Sequence, residues 1–238
     1  MPNNSPDRAD GGLRPDGHAS AIRIPAGLVV LVGPPASGKT SFVRALVERG
    51  QIEAEAVVSS DEIRAELFGA AGGPEPADSD AADATDSDAA DATDSDAADA
   101  TDSDAADARI FEERDRRIVA RLAARRTVIA ESTNVTPQAR ARLIALARRF
   151  DAPVTALRFA PDVADLLQQY AERGRTDLTP ADVRAYAAVM SRDAGADRLR
   201  SEGAAAVHDV PGRRRSVMPA EAAARFAFGR VLPGYHLT

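Results

Sequence analysis

One run constrains this chain more than any other: Leu28–Val32 reads LVVLV, and Gly33-Pro34-Pro35-Ala36-Ser37-Gly38-Lys39-Thr40 follows at once. A continuous apolar run ending at glycine predicts a strand buried on both faces, as in a parallel sheet. The octapeptide matches GxxxxGK(S/T) in full, between that strand and a helix predicted through Glu48. In such a loop the backbone N–H groups face inward, and the helix dipole adds positive potential at its N-terminus. The segment therefore suits ATP, with Lys39 reaching the β- and γ-phosphates, the Thr40 hydroxyl ligating Mg²⁺ and Ser41 completing the site. The alternative is a plain glycine turn.

Lys39 is the sole lysine among 30 Lys plus Arg residues. A coding bias toward Arg explains the imbalance. The one retained lysine stands where a compact ammonium fits and a planar guanidinium does not.

Strand-like and helix-like segments alternate along the rest of the chain. Further strands are predicted at 56–59, 127–130, 154–159 and 205–210. Helices are predicted at 61–68 and 109–126, after the Thr136-Pro137 and Thr179-Pro180 cap signals, and at Val163, Leu166, Leu167 and Tyr170, spaced i, i+3, i+4, i+7. The pattern predicts an α/β fold, a five-stranded parallel sheet with helices on both faces.

An octapeptide, DSDAADAT, recurs from Asp78, Asp86 and Asp94, with a truncated copy from Asp102. Alanine is its one apolar residue type, so stacked copies would bury too little to offset chain entropy. The expected organisation is a disordered N-terminal tail at 1–24 and a domain at 25–212. A disordered acidic insert at 74–108 interrupts the domain, and the tail at 213–238 has no assignment. The alternative for the Asp ladder is calcium binding, although the unit lacks the glycine turns of calcium-binding β-rolls. The formal charge is −7, and without the twelve Asp of residues 78–107 it becomes +5.

Cysteine is absent, which excludes disulfides, thiolate zinc sites and a cysteine nucleophile. No stretch approaches the roughly 20 apolar residues of a membrane helix. The first residues lack the apolar core of a signal peptide, so no membrane association and a cytoplasmic location are expected.

Two acidic residues stand at predicted strand ends. Glu131, after Thr127-Val-Ile-Ala, suits the second metal-holding position, or is a solvated strand-end glutamate. Asp61, in Ser59-Ser60-Asp61, suits a base that takes the proton of an attacking hydroxyl, with Arg64 one turn on to hold an acceptor phosphate. The alternative is that Ser60 or Asp61 only caps the helix.

The ordered set of Gly33–Thr40, Ser59-Ser60-Asp61 with Arg64, Ser132-Thr133-Asn134-Val135 with Ala139-Arg140, and the arginines before Leu178-Thr179-Pro180 resembles the kinase domain of bacterial polynucleotide kinase-phosphatases. It also resembles related stand-alone P-loop kinases of the AAA-family ATPase type. The resemblance spans about 28–210 outside the insert. It implies a P-loop NTPase fold with a helical lid. It makes Asp61 the general base, Arg64 the contact to the acceptor phosphate, and Lys39 and Thr40 the phosphate and metal residues. Arg173, ahead of Arg175, becomes the lid arginine that stabilises the transferring phosphoryl group; as the alternative, both are solvated helix-end arginines.

Three features depart from that family. Glu131 stands where Asp is usual, an acidic insert follows the acceptor motif, and no aromatic platform for bases is evident. The expected function is an ATP-dependent phosphotransferase acting on a nucleic-acid 5′-hydroxyl end. The alternatives are a small-molecule or nucleotide-sugar kinase and an ATP-binding switch without transfer. An AAA+ remodelling motor is disfavoured, because no second arginine-finger and sensor region is evident.

Overall fold

The structure is a computed structural model that describes residues 21–69, 94–172, 178–212 and 216–231. Five parallel strands form the main sheet: β2 (Leu28–Val32), β3 (Val57–Ser59), β4 (Val128–Glu131), β5 (Val154–Arg158) and β6 (Ala206–Asp209). Their spatial order is β3-β4-β2-β5-β6, so β2 is central. Every residue of β2 is buried. That explains its unbroken apolar run, since a central parallel strand meets helices on both faces.

On one face α3 (Asp94–Ala123), α4 (Pro137–Arg148), α6 (Pro180–Asp193) and α7 (Ala196–Glu202) enclose a core that includes Val30, Ile110, Ile118, Leu122 and Leu143. On the other, α1 (Lys39–Glu48) packs Phe42 and Leu46 against Val29, Leu31 and Leu157. Helices α2 (Ser60–Phe68) and α5 (Val163–Glu172) complete the αβ alternation. α5 and α6 close over the phosphate loop, where Leu166, Tyr170 and Val183 pack on Ala36. They are the expected helical lid. Val163, expected on the same buried face, is exposed at the start of α5. Among the described residues no helix is long and apolar enough to cross a membrane.

The expected segment boundaries need three corrections. The helix predicted from Arg109 begins at Asp94, inside the expected disordered insert at 74–108. Alanine is the best helix former, carboxylates suit a helix N-terminus, and a helix anchored by Ile110 and Ile118 propagates without a new nucleus. The insert's first part, 74–93, lies outside the described residues.

The other two corrections concern the tails. The N-terminal tail, expected to run to residue 24, contains β1 (Ile22–Ile24); residues 1–20 lie outside the described residues. The unassigned C-terminal segment holds α8 (Pro219–Ala224) and β7 (Phe226–Phe228). β1 and β7 pair in parallel, with Ile24 beside Phe228. Phe226 packs edge-on against Phe42, ring centroids 5.7 Å apart, so the clasp braces the helix that follows the phosphate loop. Three-residue strands carry too little periodicity to be read locally.

Candidate active site

β2 delivers Gly33 to the carboxyl edge of the sheet, where ligands bind in open α/β folds. A Cβ on Gly33 would sit 2.7 Å from the Phe159 carbonyl oxygen and 2.9 Å from Ser37 Oγ, so this position requires glycine for space. Gly38 requires it for conformation, at φ 96°. Gly38 is also the N-cap of α1; it offers no side-chain cap, and the first turn carries no acid. The first amides of α1 are therefore left to an anionic ligand. Lys39 is folded back on its own loop, where Nζ donates to the Gly33 carbonyl at 2.7 Å and the Pro34 carbonyl at 2.8 Å.

Pro35, Ala36, Ser37, Gly38, Lys39 and Thr40 line one open cleft of about 840 Å³, its mouth included. Ser41, on α1, does not line it. Glu131 ends β4, the neighbour of β2, and is 8% exposed. The Thr40 hydroxyl lies near its carboxylate and favours the charged form. Burial holds its pKa above the usual carboxylate range; the Thr40 hydroxyl and the Lys39 charge pull down, and Asp61 and Glu62 push up. Ionised Glu131 thus wants more positive charge than the protein supplies. A hydroxyl and a carboxylate lining the same cleft are hard donors that fit Mg²⁺, which takes few protein ligands and fills its shell with water and phosphate oxygens. With the extra methylene of Glu, relative to the Asp usual in the resembling family, the side chain still lines the cleft with Thr40.

Ser59 lies in register with Glu131 at the end of β3. Its Oγ accepts from the Glu62 amide at 3.4 Å and is the cap of α2. The capping alternative for Ser60 and Asp61 is therefore overturned, and both line the cleft. Arg64 lines it one turn on and donates through Nη2 to Asp107 Oδ1 at 3.1 Å. Asp107 belongs to the last, truncated copy of the acidic repeat. Arg173 and Arg175 lie outside the described residues.

Sequence reasoning missed Asp107, Phe111 and Tyr186, all of which line the cleft. Asp107, Ile110 and Phe111 are spaced i, i+3, i+4 and share one face of α3, a signal hidden because the repeat read as a separate segment. Phe111 and Tyr186 bring aromatic side chains to a cleft where the sequence made no aromatic platform for bases evident. The Arg114 guanidinium stands 4.8 Å over the Phe111 ring.

Residues 28–193 match the AAA domain family AAA_33. The chain belongs to this AAA domain family. Among solved structures the AAA domain is similar to a chain of the Pnkp1/Rnl/Hen1 RNA repair complex, at 17% identity and TM-score 0.50, over 74% of this chain and 46% of that one. The chain thus spans less than half the length of that relative. A shikimate kinase from Acinetobacter baumannii, solved with shikimate, matches at 16% identity and TM-score 0.48, over 84% of this chain and 90% of that one. No curated protein sequence matches. At these identities the first likeness shows the fold alone, a sheet of five parallel strands with helices on both faces.

Proposed function

We propose that this AAA domain transfers the γ-phosphate of ATP to a hydroxyl group, and that the acceptor is a nucleic-acid 5′-hydroxyl end. One observation carries the reading: Lys39, Thr40 with Glu131, and Asp61 with Arg64 all line one cleft. Loop amides and Lys39 hold the phosphates, the ammonium exchanging its loop carbonyls for phosphate oxygens. Thr40 and Glu131 would hold Mg²⁺, which when bound would neutralise phosphate charge. Asp61 accepts the proton of the attacking hydroxyl as its oxygen bonds to the γ-phosphorus and the bond to ADP breaks. Arg64 spends one of its five donors on Asp107, which leaves others for an acceptor phosphate. The order of motifs shared with polynucleotide kinases supports the nucleic-acid acceptor.

A second acceptor class has its own support. Asp61 and Asp107 place two carboxylates beside the one guanidinium of Arg64, a balance that suits a neutral hydroxyl compound better than a polyanion. The test is transfer of labelled γ-phosphate from ATP to a 5′-hydroxyl oligonucleotide, run beside a panel of polyols and nucleosides, with Lys39→Ala as the control. Transfer to the oligonucleotide supports the first reading, and transfer only to small acceptors replaces it with the second. ATP binding with no transfer to either refutes phosphotransfer.

A further inference from the structure

Arg140, on α4, is a buried cation that the transfer chemistry leaves unused, only 2% exposed. A buried guanidinium is tolerated when its donors are satisfied. Here each of the five has a partner. Nε and Nη2 donate to the two Glu202 carboxylate oxygens at 2.7 and 2.8 Å. Nη1 donates to the carbonyls of Asn134 and Val135 at 3.0 and 2.6 Å, and Nη2 also to that of Asp193 at 2.8 Å. One planar group thus joins the turn after β4, the end of α6 and the end of α7.

Two of those segments border the cleft. In the turn, the Thr133 carbonyl accepts from the Gly33 amide at 2.9 Å, and Asn134 Nδ2 donates to the Leu31 carbonyl at 2.9 Å. Ser132 and Thr133 line the cleft, and α6 brings Tyr186 to it. Asn134 takes a left-handed backbone, φ 47°, a conformation asparagine adopts more readily than other non-glycine residues. Replacing a buried ion pair by apolar groups is often neutral for stability, so five aimed hydrogen bonds point to geometry as what the pair secures.

We propose that Arg140, oriented by Glu202, is a positioning residue for phosphoryl transfer. It sets the Ser132–Thr133 edge of the cleft against the phosphate loop and ties that edge to α6. The role in transfer rests on the phosphotransfer reading above.

The test uses the full chain with Arg140→Lys, whose point-like ammonium cannot reach three segments at once, and Glu202→Gln, which keeps shape and removes charge. In Arg140→Lys, kcat per folded molecule should fall roughly 10- to 100-fold while KM for ATP changes by less than about threefold. Amide hydrogen exchange should quicken at Gly33 and at 132–135 but not in β5. Glu202→Gln should shift both readouts in the same direction by less. Truncation to Ala vacates the space that the guanidinium fills between Glu202 and the Val135 carbonyl, so millimolar methylguanidine should restore part of the kcat of Arg140→Ala.

A lowered Tm with unchanged kcat and unchanged exchange at 132–135 overturns the proposal. If Arg140→Lys does not fold, Glu202→Gln decides alone. If the wild type transfers phosphate to no acceptor, the phosphotransfer reading fails separately. The exchange comparison, which needs no acceptor, then supports positioning of the phosphate loop if Gly33 and 132–135 loosen and overturns it if they do not.

Discussion

Replacing Asp61 by Asn changes one atom at the mouth of the cleft and leaves the local fold its cap. Ser59, not Asp61, holds the Glu62 amide, so α2 keeps its first turn. What the helix loses is a negative charge near its N-terminus, worth about 0.3–1 kcal/mol. A domain of ordinary stability, about 5–15 kcal/mol, stays almost wholly folded after such a loss. The chemical loss should be far larger. Removing a general base costs typically about 10²–10⁴ in rate, which corresponds to roughly 3–5 kcal/mol of barrier. The two effects differ enough to be separated in one experiment. Transfer of labelled phosphate would be followed under single-turnover conditions, with ATP affinity measured by calorimetry and folding by thermal melt. The expected result is a Tm within a few degrees, near wild-type ATP affinity and a transfer rate down by about 10²-fold or more. A variant that keeps more than about a tenth of wild-type transfer would refute Asp61 as the base.

Glu131→Gln should stabilise the metal-free protein at neutral pH. The native pKa lies above the ordinary 4.5, so the stability tied to the protonated carboxyl is present in acid and fades as pH rises through the native value. The variant's Tm advantage should therefore grow from pH 5 to pH 8, while the added stabilisation by ATP with Mg²⁺ should shrink; a Tm below wild type at pH 8 would contradict the assigned cause. Gly33→Ala should lower Tm by roughly 2–12 °C, because its Cβ meets Phe159 and Ser37 atoms closer than 3 Å; an unchanged melt would show that the loop yields freely. Arg64→Gln should cost at most about 1 kcal/mol of stability, since its pair with Asp107 is partly exposed. It should raise KM for an oligonucleotide acceptor and reduce the salt slope by about one, with no such change for a neutral polyol.

Most of the fold was legible because its signals are local. Leu28–Val32 reads as a buried strand, and Thr136 and Thr179 each cap the helix that a following proline opens, as the Ala139 and Asp182 amide contacts confirm. The repeat misled because its composition was weighed as a free segment, whereas Asp94–Ala108 continues a helix anchored elsewhere. The β1–β7 clasp was invisible because its partners lie some two hundred residues apart and each is three residues long.

The candidate site divides along the same line. Gly33, Gly38, Lys39 and Thr40 lie in one short motif, so the sequence by itself determined the phosphate loop, whereas the packing of Phe159 decided that Gly33 needs space and the folded loop that Gly38 needs a left-handed backbone. Asp61, Glu131 and Arg64 were identifiable as candidates because strand ends in a parallel sheet share one edge. That Glu131 shares the cleft with Thr40, that Asp107 rather than solvent faces Arg64, and that Arg140 binds three segments with one guanidinium were decided only by the tertiary structure. Chain-local hydrogen bonding and hydrophobic period are written in neighbouring residues. The pairing of buried charges depends on which distant segments the packed core brings together, and no short window of sequence carries that information.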